Sequence, residues 1–474
     1  MLPVRFSSAY SMSKNHTTAT LLENAPVRSL VLQLGIPAMF GQFFNILYSI
    51  VDRIYVGQIP QAGETALASI GICAPALTAV SAFAYMVGIG GASSMSIFLG
   101  QKDEKQAKAT LGNAVFLLFV ISIAVTGLLL LTKKPLLYWL GCSEVMYPYA
   151  ETYFTLYILG TVPYLLGVGL NQFLLAQGFA RQGMLAVALG AVVNVALDPL
   201  LIFAAGMGIS GAALATVLSQ CCMAGYVVFC LCRQKTPVRF HVCRPQRRLC
   251  LRILSVGSMS FVITILDNLI IILLNVVLRI HGGTVLGDQL ITCATVVQSF
   301  LTIVSCPAQG ITSGCTTIFG YHYGAGVYRK IRQAFAYVFL LCGVYIGTLQ
   351  IAVQIAPQFF AGLFLRNADL VQLASASLRM YTLALLGVAV QYALVDGLTA
   401  MGKIRFAFPL SVFRKLVYVI CIFVLPLVTD IRYVFYAGSI SDAIGATFSV
   451  ILFVCIIVPK LKTELKCKTY EGRA

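Results

Sequence analysis

A chain of 474 residues that is 59% hydrophobic and only 10% charged, with a mean hydropathy of +0.90, is not a water-soluble domain, since such domains carry about 25% charged residues. Apolar runs of bilayer-spanning length recur along nearly the whole chain, and the alternating pattern of a β-barrel is absent, which leaves an all-α polytopic membrane protein. The formal net charge of +17 lies in the loops between the runs, so it reads as membrane topology and headgroup contact rather than nucleic-acid binding.

Residues 1–28 are polar, without the apolar core of a signal peptide, and read as a cytoplasmic tail. Twelve spans follow near 29–56, 66–98, 110–132, 148–176, 182–204, 208–232, 251–280, 287–320, 332–356, 370–401, 405–428 and 432–459. Lys and Arg crowd alternate loops: Lys102, Lys105 and Lys108, then Arg181, then the basic linker 233–250, then Arg329, Lys330 and Arg332, then Lys403 and Arg405, and finally the basic tail 460–474. The opposite loops hold Lys133, Lys134, Arg279, Arg366 and Arg432. The positive-inside rule therefore puts both termini in the cytoplasm, with the chain integral to the cell membrane. The 15 cysteines are scattered through apolar runs as small packing residues. The four histidines (His16, His241, His281 and His322) are dispersed and form no metal-ligand pattern.

The linker divides the chain into lobes of six spans, 29–232 and 251–459, and the lobes resemble each other. Asn45 and Asp52 match Asn268 and Asn275 at an offset of 223; Tyr157, Ala176, Gly178 and Arg181 match Tyr381, Ala400, Gly402 and Arg405 at 224. An even number of spans per lobe gives both the same orientation, so the repeat is parallel, with its pseudo-two-fold axis along the membrane normal. Two six-helix bundles with a cleft between them follow.

The costliest feature is Asn194-Val-Ala-Leu-Asp198-Pro199, an amide and a carboxylate one helical turn apart inside an apolar run. Pro199 deprives the helix of one hydrogen bond and frees the carbonyl of Val195. The other acids read as lying in spans are Asp52, Glu151, Asp267 and Asp396. At about 1.5 Å per residue, Asp52, Asp198, Thr216 and Asn194 lie roughly 6, 9, 12 and 15 Å below the outer ends of their spans, a shared depth that permits convergence. The repeat maps Asn194, Asp198 and Thr216 onto Tyr418, Ile422 and Ile440, and Asp52 onto Asn275. Acids needed only for packing would recur in both lobes, so the asymmetry points to a cation site in the first. A buried carboxylate can hold a proton, and two carboxylates with an amide, a hydroxyl and a freed carbonyl form a hard oxygen cage for Na⁺ at Asp52, Asn194 and Asp198.

At these residues the chain resembles the multidrug and toxic compound extrusion (MATE) family. The likeness rests on Gly35-Ile-Pro37 with Asn45 and Ile50-Val-Asp52-Arg-Ile-Tyr-Val-Gly57, on Ala66-Leu-Ala-Ser-Ile-Gly71 and Gly88-Ile-Gly-Gly91, on Asn194 with Leu197-Asp198-Pro199, and on Gly206-Met-Gly-Ile-Ser-Gly-Ala-Ala-Leu-Ala-Thr216. The resemblance implies a monomeric antiporter that exports amphipathic or cationic organic compounds in exchange for H⁺ or Na⁺ by alternating access, with no other cofactor. It implies coupling by Asp52, Asn194, Asp198 and Thr216, with Asp267 and Asp396 in a substrate cavity. No P-loop or catalytic motif suggests ATP-driven transport or an enzyme. The alternative within the superfamily is a lipid-linked oligosaccharide flippase, whose cavity is strongly cationic; here the span-interior cations are few (Arg53, Arg379, Arg414 and Lys415).

Overall fold

The computed structural model describes residues 22–23, 25–60, 63–140, 142, 144, 146–233, 238–239, 244–283, 285–365 and 367–459. The tail to residue 21, much of the basic linker and the tail 460–474 lie outside the described residues. The described chain is helical throughout. Its helices are α1 (Val27–Gly57), α2 (Gly63–Gly100), α3 (Glu104–Trp139), α4 (Tyr147–Leu159), α5 (Thr161–Ala176), α6 (Ala180–Pro199) and α7 (Ile209–Cys232) in the first half. The second half has α8 (Arg247–Gly282), α9 (Val285–Gly324), α10 (Tyr328–Ile355), the short α11 (Pro357–Gly362), α12 (Ala368–Thr382), α13 (Leu386–Ala400), α14 (Ile404–Val428) and α15 (Tyr436–Leu452). Hydrocarbon offers the backbone no hydrogen bonds, so an apolar chain of this kind must satisfy its own.

Among the described residues, ten helices or continuous helical runs are long and apolar enough to cross a bilayer, and two bent pairs bring the spans to twelve. The fourth and tenth spans, expected as single helices, are those pairs. The axis turns by 54° between α4 and α5 and by 49° between α12 and α13. Pro163 sits just after the first break and cannot donate to the preceding turn. The second break has no proline; there Gly387 lies against the carbonyl of Asp442, where a Cβ would come within 2.6 Å. The breaks occupy equivalent places in the repeat. So do Gly178 and Gly402, which turn the chain into the following spans at φ 83° and 71°, a conformation that glycine alone adopts without strain.

The two halves meet along a seam. α1 lies against α9, and α2 lies against α8. The end of the bundle that carries Lys102, Lys330 and Lys403 is called the basic end below. α1 and α8 start there, while α2 and α9 finish there. The closest backbone approaches between the halves all fall toward this end. A Cβ at Gly257 would lie 1.7 Å from the carbonyl oxygen of Met86, and one at Gly90 would lie 2.1 Å from that of Ile253. Phe83 and Phe261 meet across the same seam as tilted rings with centroids 4.8 Å apart. Thr317 donates to the carbonyl of Leu175 at 2.6 Å, tying α9 to α5.

Candidate cation site and its counterpart

α6 carries its polar pair on the face turned into the first half. Asn194 and Asp198 are both fully buried, and Thr216 of α7 is 6% exposed. Asn194 Nδ2 donates to Asp198 Oδ1 at 3.4 Å and to Thr216 Oγ1 at 3.5 Å, long contacts that make one cluster of the three. The Thr216 hydroxyl donates in turn to the carbonyl of Ala212 at 3.0 Å, so its lone pairs face the amide and the pocket. Beyond Pro199 the helix widens into a π-helical turn over Leu200–Ala204, as expected where a proline interrupts the ladder.

Asp52 enters from α1, 8% exposed, close enough to Asp198 for the two charges to act on each other. Three buried oxygens of the group have no hydrogen-bond partner: Asp52 Oδ1, Asn194 Oδ1 and Asp198 Oδ2. Among the described residues no ion pair engages either carboxylate. Arg53 is exposed and acts on Asp52 only through space. Unpaired oxygens from two helices, with a hydroxyl from a third beside them, are acceptor sites that a proton or a hard cation fits.

Asp267 and Asp396 lie in the second half and do not join this cluster. The Asp267 side chain is 55% exposed and pairs with Lys415, whose side chain is 6% exposed. Asp396 is half-buried and accepts from the Thr312 hydroxyl. Glu151 pairs with Lys133 at 2.7 Å near the far end of the bundle, away from the site.

The family model MatE matches residues 37–200 and 264–424, more than half of the chain. The chain belongs to the MatE family. Among curated MatE-like relatives it is 22% identical to the multidrug export protein MepA of Staphylococcus aureus over 451 residues, spanning 95% of this chain and 97% of MepA. It is 32% identical over 203 residues to an FAD transporter of Shewanella oneidensis, a match limited to 42% of this chain and 44% of that one. Among solved structures, an outward-facing MATE-family multidrug-resistance transporter of the MOP superfamily superposes with a TM-score of 0.88 at 22% identity, over 95% of this chain and all of that one. A MOP-superfamily transporter of Pyrococcus furiosus with a binding pocket of reverse polarity gives the same TM-score at the same identity and coverage. The helical fold and multi-pass membrane placement expected from the sequence are those of this family.

In this MatE protein, sequence reasoning missed two features. The first is an aromatic wall. Tyr153, Tyr157 and Tyr164 of the fourth span follow one another as tilted rings, with centroids 6.0 and 6.3 Å apart. Tyr48 and Tyr153 both lie close enough to Asp52 to feel its charge. Tyr153 and Tyr157, four residues apart on α4, share a helical face, and Tyr164 follows across the break on α5. Tyr48 likewise stands one turn before Asp52.

The second is a correction. Asp442 of α15, not among the acids expected inside spans, is 3% exposed and ion-paired with Arg414 Nη1 of α14 at 2.9 Å. The second half is therefore not stripped of buried carboxylates; it carries one with its cation attached. The signal was Asp442-Ala-Ile-Gly445 in an apolar run. Gly445, one turn beyond the acid, leaves room for the Arg414 stem, which a Cβ there would meet at 2.8 Å.

Proposed function

We propose that this protein is a secondary antiporter that exports amphipathic or cationic organic compounds in exchange for a small cation, H⁺ or Na⁺. The observation that carries the reading is the set of buried, unpartnered oxygens on Asp52, Asn194 and Asp198 beside the Thr216 hydroxyl. Filling them with a proton or Na⁺ removes the cost of a bare buried carboxylate. The ion thereby favours whichever arrangement of α1, α6 and α7 holds it best, and it shifts the equilibrium only by that difference in affinity. The names of the relatives, a multidrug exporter among them, agree with export of organic compounds.

In this reading residues 29–232 and 251–459 are two lobes that rock about the seam, with the basic linker between them. Both termini and the basic end face the cytoplasm, so the halves are closed on that side and the substrate cleft opens outward. Asp267, exposed beside Lys415, and Asp396 lie on the substrate path. The protein works as a monomer in the cell membrane, with lipid as its other partner. A flippase reading is weaker here because Arg414 and Lys415 are each engaged by an acid, which leaves little free positive charge for an anionic headgroup.

The test is transport in proteoliposomes of a fluorescent organic cation under separately imposed Na⁺ and proton gradients, with FAD as an anionic probe in parallel. One gradient should drive accumulation of the cation, and Asp198→Asn should cut that drive by about tenfold or more. Equal transport without either gradient, or undiminished gradient-driven transport by Asp198→Asn, overturns the proposal.

A further inference from the structure

At the basic end of the seam a cavity of about 370 Å³ opens between the halves. Ile97 and Gln101 of the first half line one side; Arg252, Tyr323 and Lys403 of the second line the other. Three separate segments of the second half thus meet the end of α2. Among the described residues, none of the side chains lining the cavity is acidic.

Its two cations are held by aromatic faces. The Arg252 guanidinium carbon stands 4.5 Å from the Phe98 ring centroid, across the seam, and Lys403 Nζ stands 5.4 Å from that of Tyr323. A ring orients a cation and partly compensates its desolvation without cancelling its charge. Arg248, one turn before Arg252 on α8, adds to the positive field there. The hydroxyl of Ser255 and the amide of Gln101 add uncharged donors. A planar guanidinium and an ammonium on one wall, with the Ser255 hydroxyl beside them and the Gln101 amide facing them across the seam, offer the converging donors and double positive charge that a phosphate group needs.

We propose that this cavity binds a phosphate-bearing anion, which Arg252 and Lys403 hold against Gln101 across the seam. The chemistry is shared by an anionic phospholipid headgroup and a free phosphate ester. Because the walls belong to both halves, the anion fastens the seam at the basic end. It should therefore stabilise the arrangement in which the halves are joined there, independently of the cation site some spans away.

The experiment measures the melting temperature of the full-length protein in phosphatidylcholine nanodiscs, with increasing phosphatidylglycerol in one arm and increasing pyrophosphate in the other. The wild type should be stabilised in at least one arm. Stabilisation by the lipid alone assigns a headgroup, and stabilisation in both arms assigns a small-anion site. Arg252→Gln with Lys403→Gln should abolish the effect, each single change weakening binding about fivefold. Gln101 is exposed, so Gln101→Glu keeps the packing while adding a repelling carboxylate; it should weaken binding even if the double variant folds poorly. No stabilisation of the wild type in either arm overturns the proposal, as does stabilisation that Gln101→Glu and the single variants leave unchanged.

Discussion

The two halves of the molecule share a scaffold and treat buried charge in opposite ways. In the first, Asp52 and Asp198 are buried with unpartnered oxygens and no ion pair among the described residues. In the second, Asp442 is buried against Arg414, Asp267 is bound to Lys415, and the half-buried Asp396 has a hydroxyl, that of Thr312, donating to it. The repeat maps Arg414 and Lys415 onto Gly190 and Ala191, so the first half has small apolar residues where the second has its cations. A buried pair is already neutral and gains little from a further ion. A bare carboxylate in the same surroundings has everything to gain from one. The difference teaches that the two halves share geometry and differ in the placement of charge, which is what the proposed coupling in the first half rests on.

The largest expected effect separates the halves by transport. Asp198→Asn should cut gradient-driven uptake by about 10- to 100-fold, the span of ordinary coupling energies. It should leave the melting temperature of the purified protein nearly unchanged, because it replaces an unpaired buried charge with a neutral isostere. A large fall in stability with coupling intact would make Asp198 a structural residue and erase the contrast.

Asp442→Asn should do the reverse. It leaves Arg414 buried without its counter-charge, at a cost of about 3–5 kcal/mol, read as a fall in thermal or denaturant stability. Combining Asp442→Leu with Arg414→Met should recover most of that loss, since a well-packed apolar pair replaces a buried ionic one at little net cost. Transport per folded molecule should survive better than in Asp198→Asn. Asp267→Asn also strands a buried cation, Lys415, but the acid itself is half-exposed and water can take part of its place, so the fall in stability should be smaller than for Asp442→Asn.

Gly257→Val tests the frame that both halves share. A side chain there would run into the backbone of Met86, so the seam at the basic end has to open or the helices have to shift. Overpacking of this kind costs about 1–3 kcal/mol. Because it acts on the seam and not on any charge, thermal stability should drop while the ion dependence of the remaining transport stays that of the wild type.

Much of this was readable in the sequence because the lipid environment imposes strict rules. Span positions followed from apolar run length, and the repeat from offsets that hold across Gly178, Gly402 and their neighbours. Asn194 and Asp198 stood out as expensive residues, and shared depth permitted their union with Thr216, which the structure shows as hydrogen bonds. The bend in the tenth span was not readable, since Thr382 to Leu386 contains no residue that must break a helix; that in the fourth had a signal in Gly160 and Pro163. Asp442 escaped notice because its partner lies 28 residues away on another helix, a pairing that no local spacing announces. The tyrosine wall was visible as a periodicity, but a ring that packs and a ring that lines a polar site have the same spacing.

The smallest expected effect is at Thr216, and it sharpens the comparison most finely. Its hydroxyl already donates to Ala212 and receives only a long contact from Asn194. Thr216→Val keeps the shape and removes one oxygen, so about 1 kcal/mol of ion binding should go, or roughly a fivefold higher ion concentration for half-maximal transport. Thr216→Ser restores the oxygen and should restore the wild-type requirement. The position equivalent by repeat is Ile440, where the second half has no polar group to lose. Ile440→Thr should therefore leave the ion requirement untouched, because a hydroxyl placed there has no bare carboxylate to assist. If Ile440→Thr shifts the ion requirement as much as Thr216→Val does, both halves respond to the ion, and coupling cannot be assigned to the unpaired acids of the first half alone.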